Sequence, residues 1–316
     1  MAHSPRHLLG WHALSTSNAI RPMRSSDDYF PHIPASHAYH IYTNIVASQF
    51  LSCFSIPDFD MFQTHAFVGG DTNLPPQGGF HGSLRALGNG PVTITDVMNH
   101  CDKDVFMKLA GKGKHGTIAL NAENPLELLD DRCFDNVAQR GDGMGIRGYS
   151  KSEWGIMMGI WNVREDGGLV KDSVSMEDVA FAFGSRKVLC WSHRQQALFR
   201  LPDHPPDKFT LKELEFEILT LVEIRDQPVC LGLIDKYNTL AAIEARIGNK
   251  WRFKCAGSAV FVLPGPDEFV PMIEAHRVSA ETWRVGEYTV MKVDLQEHAS
   301  LYPDADSLWS IHLCYN

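Results

Sequence analysis

Arg24, Asp27 and Asp28 form the most compact group of side chains in this sequence that could do acid–base chemistry. The two aspartates are adjacent, the arginine stands three residues before them, and Tyr29 and Phe30 follow directly. In folds that alternate strands and helices, a polar cluster at the end of a strand is the usual place for chemistry. The alternative is an ordinary strand-to-helix loop whose carboxylates are solvated or cap the helix.

Alternating strands and helices are predicted for the first third of the chain. The predicted strands lie at 19–23, 59–62 and 92–97, and the predicted helices start at about Pro34, at His81 and at Asp102. In the first helix, apolar residues recur at three- and four-residue spacing from Ala38 to Phe54, and Pro57 stops the helix. Three strand–helix repeats indicate parallel βα units.

Beyond about residue 113 the hydrophobic pattern is typical of strands. Short apolar runs lie at 154–163, 188–192, 197–201 and 229–234, and residues alternate strictly over 213–218 and 251–255. A period of two predicts strands with one buried and one solvated face. The pattern predicts an α/β segment at residues 1–112, followed by an all-β segment at 113–316 that forms an antiparallel β-sandwich.

Two sets of polar residues could be taken for cation sites. Glu213, Glu215 and Glu217 alternate along a predicted strand, and we interpret them as one solvated sheet face. His37 and His40 stand three residues apart on the first predicted helix, and we interpret them as core histidines. We therefore predict no metal site and no cofactor.

Charge and hydropathy limit the partners. The net charge of -9 argues against a nucleic-acid partner, because phosphate binding needs clustered lysines and arginines. No apolar run approaches the roughly 18 residues of a membrane span, and residues 1–10 contain no apolar signal-peptide core. We expect a cytoplasmic protein without a membrane partner; its oligomeric state is left open.

Five short segments of the first 110 residues resemble, in order and spacing, the raffinose synthase and seed imbibition proteins, relatives of the family 36 α-galactosidases. They are RSSDDYFP at 24–31, PASH at 34–37, PDFDMF at 57–62, FHGSLRALG at 80–88 and VTITD at 92–96. Cys190–His193 and Gly232–Asn238 resemble the C-terminal part of that family more loosely.

The resemblance implies a (β/α)8 TIM barrel that carries the active site, followed by a β-sandwich. It also implies transfer or hydrolysis of α-galactosyl groups on galacto-oligosaccharides, with retention and with two carboxylates. Residues 1–112 would be the last three βα units of the barrel and residues 113–316 the C-terminal domain. Because three units cannot close a barrel, we expect the chain to correspond to the C-terminal part of a longer enzyme.

The resemblance also implies roles for individual residues. Asp27, the first aspartate of the Ser-Asp-Asp motif, would be the general acid/base. Asp28, Arg24, Asp60 and Asp96 would bind the substrate, since each stands at or just after the end of a predicted barrel strand.

Other residues near this cluster have weaker expected roles. Tyr29, Phe30 and Phe59 could form apolar walls for a sugar. His65 is a weak candidate for the site, and Arg85 could simply pair with a helix neighbour.

The nucleophile of a retaining enzyme is not identified in this chain. It should stand about 5–5.5 Å from the proton donor, and the resemblance implies a Lys-x-Asp setting on an earlier strand. Lys292-Val293-Asp294 has that spacing, but we interpret it as coincidence because it lies in an alternating β segment. Two hypotheses follow: an α-galactoside-processing enzyme completed by other residues, or an inactive product that at most binds carbohydrate or a partner.

Overall fold

The computed structural model of the chain describes most of its residues. The described ranges are 22–65, 77–113, 115–130, 138–139, 143–201, 209–265, 269–273, 276–297 and 309–315. Within these ranges, no helix is long and apolar enough to cross a membrane.

The first segment consists of short parallel strands that alternate with helices. In chain order these are β1 (Pro22–Arg24), α1 (Pro34–Leu51), β2 (Ile56–Asp58), β3 (Met61–Phe62), α2 (Gly78–Leu87), β4 (Thr93–Ile94) and α3 (Lys103–Leu109). Strand β1 pairs with β2 and strand β3 pairs with β4, both in parallel. The predicted alternation of strands and helices is confirmed for the described residues.

A kink at Asp60 divides the predicted strand at 59–62. Asp60 has a φ of 61°, in the left-handed region, so the chain turns between β2 and β3 and each strand pairs with a different neighbour. Aspartate tolerates this conformation better than most residues because its short side chain can hydrogen-bond locally. The kink therefore lies beside the carboxyl end of β1.

The predicted helices are confirmed with shifted ends. Helix α1 begins at Pro34, as predicted, and ends at Leu51. Helix α2 begins three residues earlier than predicted, at Gly78. A Cβ on Gly78 would lie 1.8 Å from the carbonyl oxygen of Thr64, so this helix starts in close backbone contact with the chain after β3. Of the strand predicted at 19–23, residues 19–21 lie outside the described ranges.

The rest of the chain is mostly antiparallel sheet. The strands are β5 (Ala110–Gly113), β6 (Gly116–Ala119), β7 (Glu127–Leu128), β8 (Ile146–Lys151), β9 (Ile156–Trp161), β10 (Val170–Asp172), β11 (Val188–Ser192), β12 (Ala197–Leu201), β13 (Phe209–Leu211), β14 (Phe216–Glu223), β15 (Val229–Leu233), β16 (Ile243–Ile247), β17 (Lys250–Phe253), β18 (Ser258–Leu263), β19 (Phe269–Ile273), β20 (His276–Arg277), β21 (Glu281–Val285), β22 (Tyr288–Asp294) and β23 (Ser310–Tyr315). Helix α4 (Met176–Phe183) lies between β10 and β11.

These strands form three larger sheets. Their orders are β12-β11-β14-β9-β8-β7, β15-β18-β22-β21 and β16-β17-β23-β19-β20. The predicted boundary at 112/113 falls inside the hairpin of β5 and β6. The predicted strands at 188–192 and 197–201 are confirmed to the residue.

Helix α2 joins the two segments. Phe80 and Leu84 are fully buried in the same apolar cluster as Trp161 on β9. The Trp161 indole Nε1–H donates a 2.8 Å hydrogen bond to Ser83 Oγ inside this cluster. Asn238 Nδ2 donates to the carbonyl of Ala86 at 2.9 Å. The core is thus continuous between the βα units and the antiparallel sheets.

The predicted alternation over 213–218 is wrong. Leu214 has a φ of 53° and lies in a turn, and β14 begins only at Phe216. Glu217 is fully buried, whereas Glu213 and Glu215 are half-buried. The three glutamates therefore do not share a solvated face, because β14 is buried on both faces from Glu217 to Val222.

Candidate active site

Arg24 and the two adjacent aspartates lie at the carboxyl end of β1. Arg24 is the last residue of this strand, and Asp27 and Asp28 stand in the loop that leads to α1. Both aspartates are exposed. Among the described residues, the Asp27 carboxylate has no hydrogen bond or ion pair, so it is open to a ligand.

The Arg24 guanidinium holds this loop against the kink after β2. Its Nη2 donates to the main-chain oxygen of Asp27 at 2.8 Å. The same nitrogen lies 3.1 Å from Asp28 Oδ1 and 2.9 Å from Asp60 Oδ2. One arginine therefore brings together three of the predicted site positions, and it holds Asp27 by its backbone rather than by its carboxylate.

Asp60 fixes the same loop from the other side. Its Oδ2 accepts a 2.8 Å hydrogen bond from the backbone N–H of Tyr29. Its own N–H donates to Asp58 Oδ1 at 3.0 Å. One backbone hydrogen bond adds to this link, from Ser25 N–H to the carbonyl of Asp58 at 3.0 Å. Asp60 thus helps to fix the position of the loop that contains Asp27.

Arg85 stabilises the kink at Asp60 through hydrogen bonds to main-chain carbonyls, which is a larger role than the sequence indicated. Its side chain is buried, and its Nη2 donates to the carbonyl oxygens of Phe59, Asp60 and Met61 at 2.5, 3.0 and 3.0 Å. Its Nη1 donates to the carbonyl of His81, one turn earlier on α2. The predicted contact with a helix neighbour is present, but three of these bonds hold the kink.

Three histidines surround Tyr29 beneath the loop. The Tyr29 ring centroid lies 5.8 Å from those of His37 and His40 and 5.0 Å from that of His81. Burial, and then the charge of Arg85, lowers the pKa of His40 to about 3. His37 and His40 are buried, at 1% and 5% exposure, which agrees with the interpretation of them as core histidines.

The described residues contain no group of metal-binding side chains arranged to hold an ion. The predicted sugar walls need a correction as well. Tyr29 and Phe59 are 5% and 2% exposed, so they pack in the core, whereas Phe30 is 38% exposed. Only Phe30 could contact a ligand in this state, because the other two rings are covered by the histidines and helices beneath the loop.

Asp96 stands apart from the other predicted site residues. Its Oδ1 accepts from the Thr64 N–H at 2.8 Å and its Oδ2 accepts from Thr64 Oγ1 at 2.6 Å. The backbone N–H of His65 also donates to Asp96, at 3.3 Å. No hydrogen bond or ion pair joins Asp96 to Arg24 or Asp28. These hydrogen bonds link the segment that follows β3 to the segment that follows β4.

The Lys292-Val293-Asp294 segment lies on β22, in the four-stranded sheet, which contains no strand of the first segment. Lys292 Nζ lies 3.4 Å from Glu281 Oε2 on the neighbouring strand. Asp294 accepts hydrogen bonds from the backbone of Gln296 and Glu297. This placement agrees with the interpretation of the spacing as coincidence.

A protein-family model described as raffinose synthase or seed imbibition protein Sip1 matches residues 11–173. Two similar curated proteins come from Arabidopsis thaliana. One, named "Probable galactinol–sucrose galactosyltransferase 1", is 26% identical over 250 residues, which cover 70% of this chain and 31% of the relative. Another, "Probable galactinol–sucrose galactosyltransferase 6", is 29% identical over 150 residues, which cover 48% and 18%. The chain thus spans less than a third of the length of these relatives.

Similarity to solved structures is weaker. A crystal structure of a GH27 β-L-arabinopyranosidase from Geobacillus stearothermophilus aligns with a TM-score of 0.42 and 12% identity. The alignment covers 64% of this chain and 45% of that one. A TM-score this low does not establish a shared fold.

Proposed function

The chain belongs to the raffinose synthase or seed imbibition protein family, and on that premise we propose that it takes part in retaining α-galactosyl transfer or hydrolysis on galacto-oligosaccharides. Asp27 is the proposed general acid/base. Its carboxylate is exposed at the carboxyl end of a parallel strand and has no partner among the described residues, whereas Asp28, Asp60 and Asp96 are all bonded to protein groups. This contrast is the observation that carries the proposal.

The first segment is proposed to be the last three βα units of a TIM barrel, with a β-sandwich domain after it. The parallel pairings of β1 with β2 and of β3 with β4 support this proposal. Among the described strands, β1 pairs only with β2 and β4 only with β3. A barrel strand has a neighbour on each side, so both outer edges are available for further strands.

Arg24, Asp28, Asp60 and Asp96 are the proposed substrate-binding residues. The strongest support concerns Asp28, because its side chain is 68% exposed and makes only one ion pair, to Arg24. Sugar hydroxyls can both donate to such a carboxylate and accept from a guanidinium. Arg24 and Asp60 would act mainly by holding the loop.

The nucleophile is proposed to come from outside this chain. In a retaining enzyme it is a second carboxylate about 5–5.5 Å from the proton donor. Asp60 Oδ2 is already bonded to Arg24 and to the Tyr29 N–H, which leaves it poorly suited to attack a sugar. Residues of a longer chain or of a second chain would therefore complete the site.

Turnover of an aryl α-galactoside, measured on the longer polypeptide or the complex that supplies the nucleophile, tests the catalytic part of the proposal. We expect Asp27→Asn to lower turnover by roughly 10²- to 10⁴-fold, the contribution typical of a general acid. The exposed Asp226 gives a matched control, since Asp226→Asn removes the same charge away from the site. A wild-type chain without turnover, or an Asp27→Asn variant as active as Asp226→Asn, would contradict catalysis by this chain.

A second candidate function is an inactive product that binds carbohydrate without processing it. The observation that favours it is that no nucleophile is identified beside Asp27 among the described residues, since the Asp60 carboxylate is bonded to Arg24 and to the Tyr29 N–H. Saturation-transfer NMR with raffinose separates the two functions. Raffinose binding that is lost in Asp28→Asn, without any turnover, would support the binding function.

A further inference from the structure

A groove of about 600 Å³ lies on the antiparallel part of the molecule. Its walls come from the β8–β9 turn, the end of α4, the end of β14 and strands β15 to β17. No lining residue belongs to the βα units. Small-molecule sites commonly occupy about 300–1,000 Å³, so the groove has a suitable size and does not share residues with the candidate active site.

Aromatic rings form one wall of the groove. Trp154, in the β8–β9 turn, is half-buried, and its ring centroid lies 5.7 Å from that of Trp251. Phe181, at the end of α4, is 49% exposed and stacks at 4.6 Å on Tyr149. An exposed aromatic face offers an apolar surface on which a flat ring can stack.

The charged residues of the groove are mainly cations. Four cationic side chains and two carboxylates line it, namely Lys151, Arg186, Arg225, Arg246, Glu153 and Glu223. The chain as a whole has a net charge of -9. The groove is therefore a local concentration of positive charge on an acidic protein, and such a concentration attracts small anions.

The arginines of the groove are not matched one to one with carboxylates. Glu223 Oε2 is shared between Arg186 at 2.8 Å and Arg225 at 3.1 Å. Arg246 donates only to neutral oxygens, those of Gln227 and Gly248, at 2.9 and 2.8 Å. Its guanidinium also lies 4.6 Å from the Trp251 ring. At least one positive charge of the set is left without an anionic partner among the described residues.

Arg225, which has only a share of Glu223, and Arg246 both line the groove, and their like charges repel each other. Burial lowers the pKa of Arg246, and the charge of Arg225 lowers it further. An anion that contacts both guanidinium groups would relieve this repulsion and form charge-assisted hydrogen bonds. Arginine is especially suited to phosphate, whose oxygens match its planar fork of donors.

We propose that this groove binds a small organic phosphate, with the phosphate between Arg225 and Arg246 and the organic ring against Trp154. A phosphate monoester carries nearly two negative charges at neutral pH. As a ligand it therefore matches the charge of two neighbouring guanidinium groups better than a carboxylate, which carries a single charge. The site is separate from the proposed galactosyl chemistry, and either can be right without the other.

Isothermal titration calorimetry with four probes tests the ligand class. Phenyl phosphate has both the ring and the dianion, inorganic phosphate only the anion, benzoate the ring and a single charge, and phenol only the ring. We expect phenyl phosphate to bind with a Kd of about 1 mM or lower, inorganic phosphate and benzoate at least several-fold more weakly, and phenol undetectably. Raising the salt concentration should weaken the binding.

Matched arginine variants test the location. Arg225→Gln should weaken phenyl phosphate binding about tenfold, the usual loss for one charge-assisted hydrogen bond. Arg252 is the control, because it follows Trp251 on β17 but is exposed and pairs with Glu244 outside the groove. Arg252→Gln should leave the affinity unchanged within about twofold.

Three results would overturn the proposal. The first is no binding of phenyl phosphate to the wild-type chain. The second is an equal loss in Arg225→Gln and Arg252→Gln, which would indicate diffuse attraction to positive charge. The third is equal affinity for benzoate and phenyl phosphate, which would remove the case for a phosphate. Because Arg225 is half exposed and, among the described residues, forms an ion pair only with Glu223, its variant should fold normally, and circular dichroism checks this.

Discussion

Asp60 shows how one residue can position a site without offering its own carboxylate to a ligand. A left-handed conformation costs most residues roughly 1–2 kcal/mol. Here the carbonyls around the kink are held by Arg85, and the Asp60 carboxylate is held by Arg24 and the Tyr29 N–H. The cost of the kink is offset by these bonds, and the result is a fixed loop on which Asp27 remains free.

Glu217 gives a prediction about pH and stability. It is fully buried, accepts hydrogen bonds from Ser192 Oγ and the Arg194 N–H, and burial raises its pKa from 4.5 to about 6. Between these two pH values the unfolded chain loses this proton and the folded chain keeps it, so the contribution of Glu217 to stability falls as pH rises. The loss is complete about one pH unit above 6, at about 2 kcal/mol.

The variant Glu217→Gln should remove this pH dependence. Its free energy of unfolding, measured in urea, should rise relative to wild type by about 2 kcal/mol between about pH 3.5 and pH 7. Glu213→Gln is the control, since Glu213 lies in the same segment and is only half-buried. A difference between Glu217→Gln and wild type that is the same at both pH values would show that burial does not shift this carboxyl group.

Several contacts of the candidate site could not have been predicted from the sequence. Arg24 and Asp28 are four residues apart, so their ion pair follows from local spacing. The contact of Arg24 with Asp60 depends on the kink, which arises from tertiary bonds of Arg85 to main-chain oxygens. A main-chain carbonyl can belong to any residue type, so the sequence does not show where Arg85 finds its acceptors, and only a contact with a helix neighbour was expected for it.

Among the secondary-structure elements, helix α2 connects the two parts of the molecule. Its residues are buried nearly throughout, with one side toward α1 and β3 and another toward β9 and β14. The apolar spacing of this short segment predicts that it is a helix. Because the helix is covered on all sides, however, it has no polar face from which its orientation in the fold could be predicted. Its position between two layers therefore appeared only in the structure.

The hydrogen bond between Ser83 and Trp161 gives a prediction at this scale. Ser83→Ala leaves the buried indole N–H of Trp161 without its acceptor, which should lower the free energy of unfolding by about 1–3 kcal/mol. Ser185→Ala, at an exposed position, should change it by less than about 0.5 kcal/mol. Urea unfolding of the two variants measures both. Equal stability of the two variants would mean that this bond does not help to dock α2.

At the scale of the whole molecule, the shared core predicts one cooperative unit. Residues of the βα segment and of the sheets belong to a single buried cluster, and the βα segment has few strands of its own. We therefore expect the amides of α2 and of β9 to lose their protection from hydrogen exchange at the same urea concentration. Earlier exchange in α2 than in β9 would instead indicate that residues 1–112 unfold separately.

Much of the architecture followed from hydrophobic periodicity, and its errors have physical causes. The alternation of strands and helices and the strands at 188–192 and 197–201 were predicted, because each pattern reflects one buried face. The pattern at 213–218 misled because Leu214 lies in a turn and β14, which begins only at Phe216, is buried on both faces. Periodicity also does not detect which strands are neighbours, such as β5 and β6, within whose hairpin the predicted boundary falls.

The acceptors of Arg85 have a consequence for the evolution of this fold. The four carbonyl oxygens that it contacts, on Phe59, Asp60, Met61 and His81, are present whatever side chains stand there. Substitutions at positions 59 and 61 therefore do not remove an acceptor. A substitution of Arg85, in contrast, removes all the N–H donors of these four hydrogen bonds at once. Lysine is no substitute, because a single ammonium group lacks the planar fork. Selection that maintains these hydrogen bonds therefore acts mainly on the codon for Arg85.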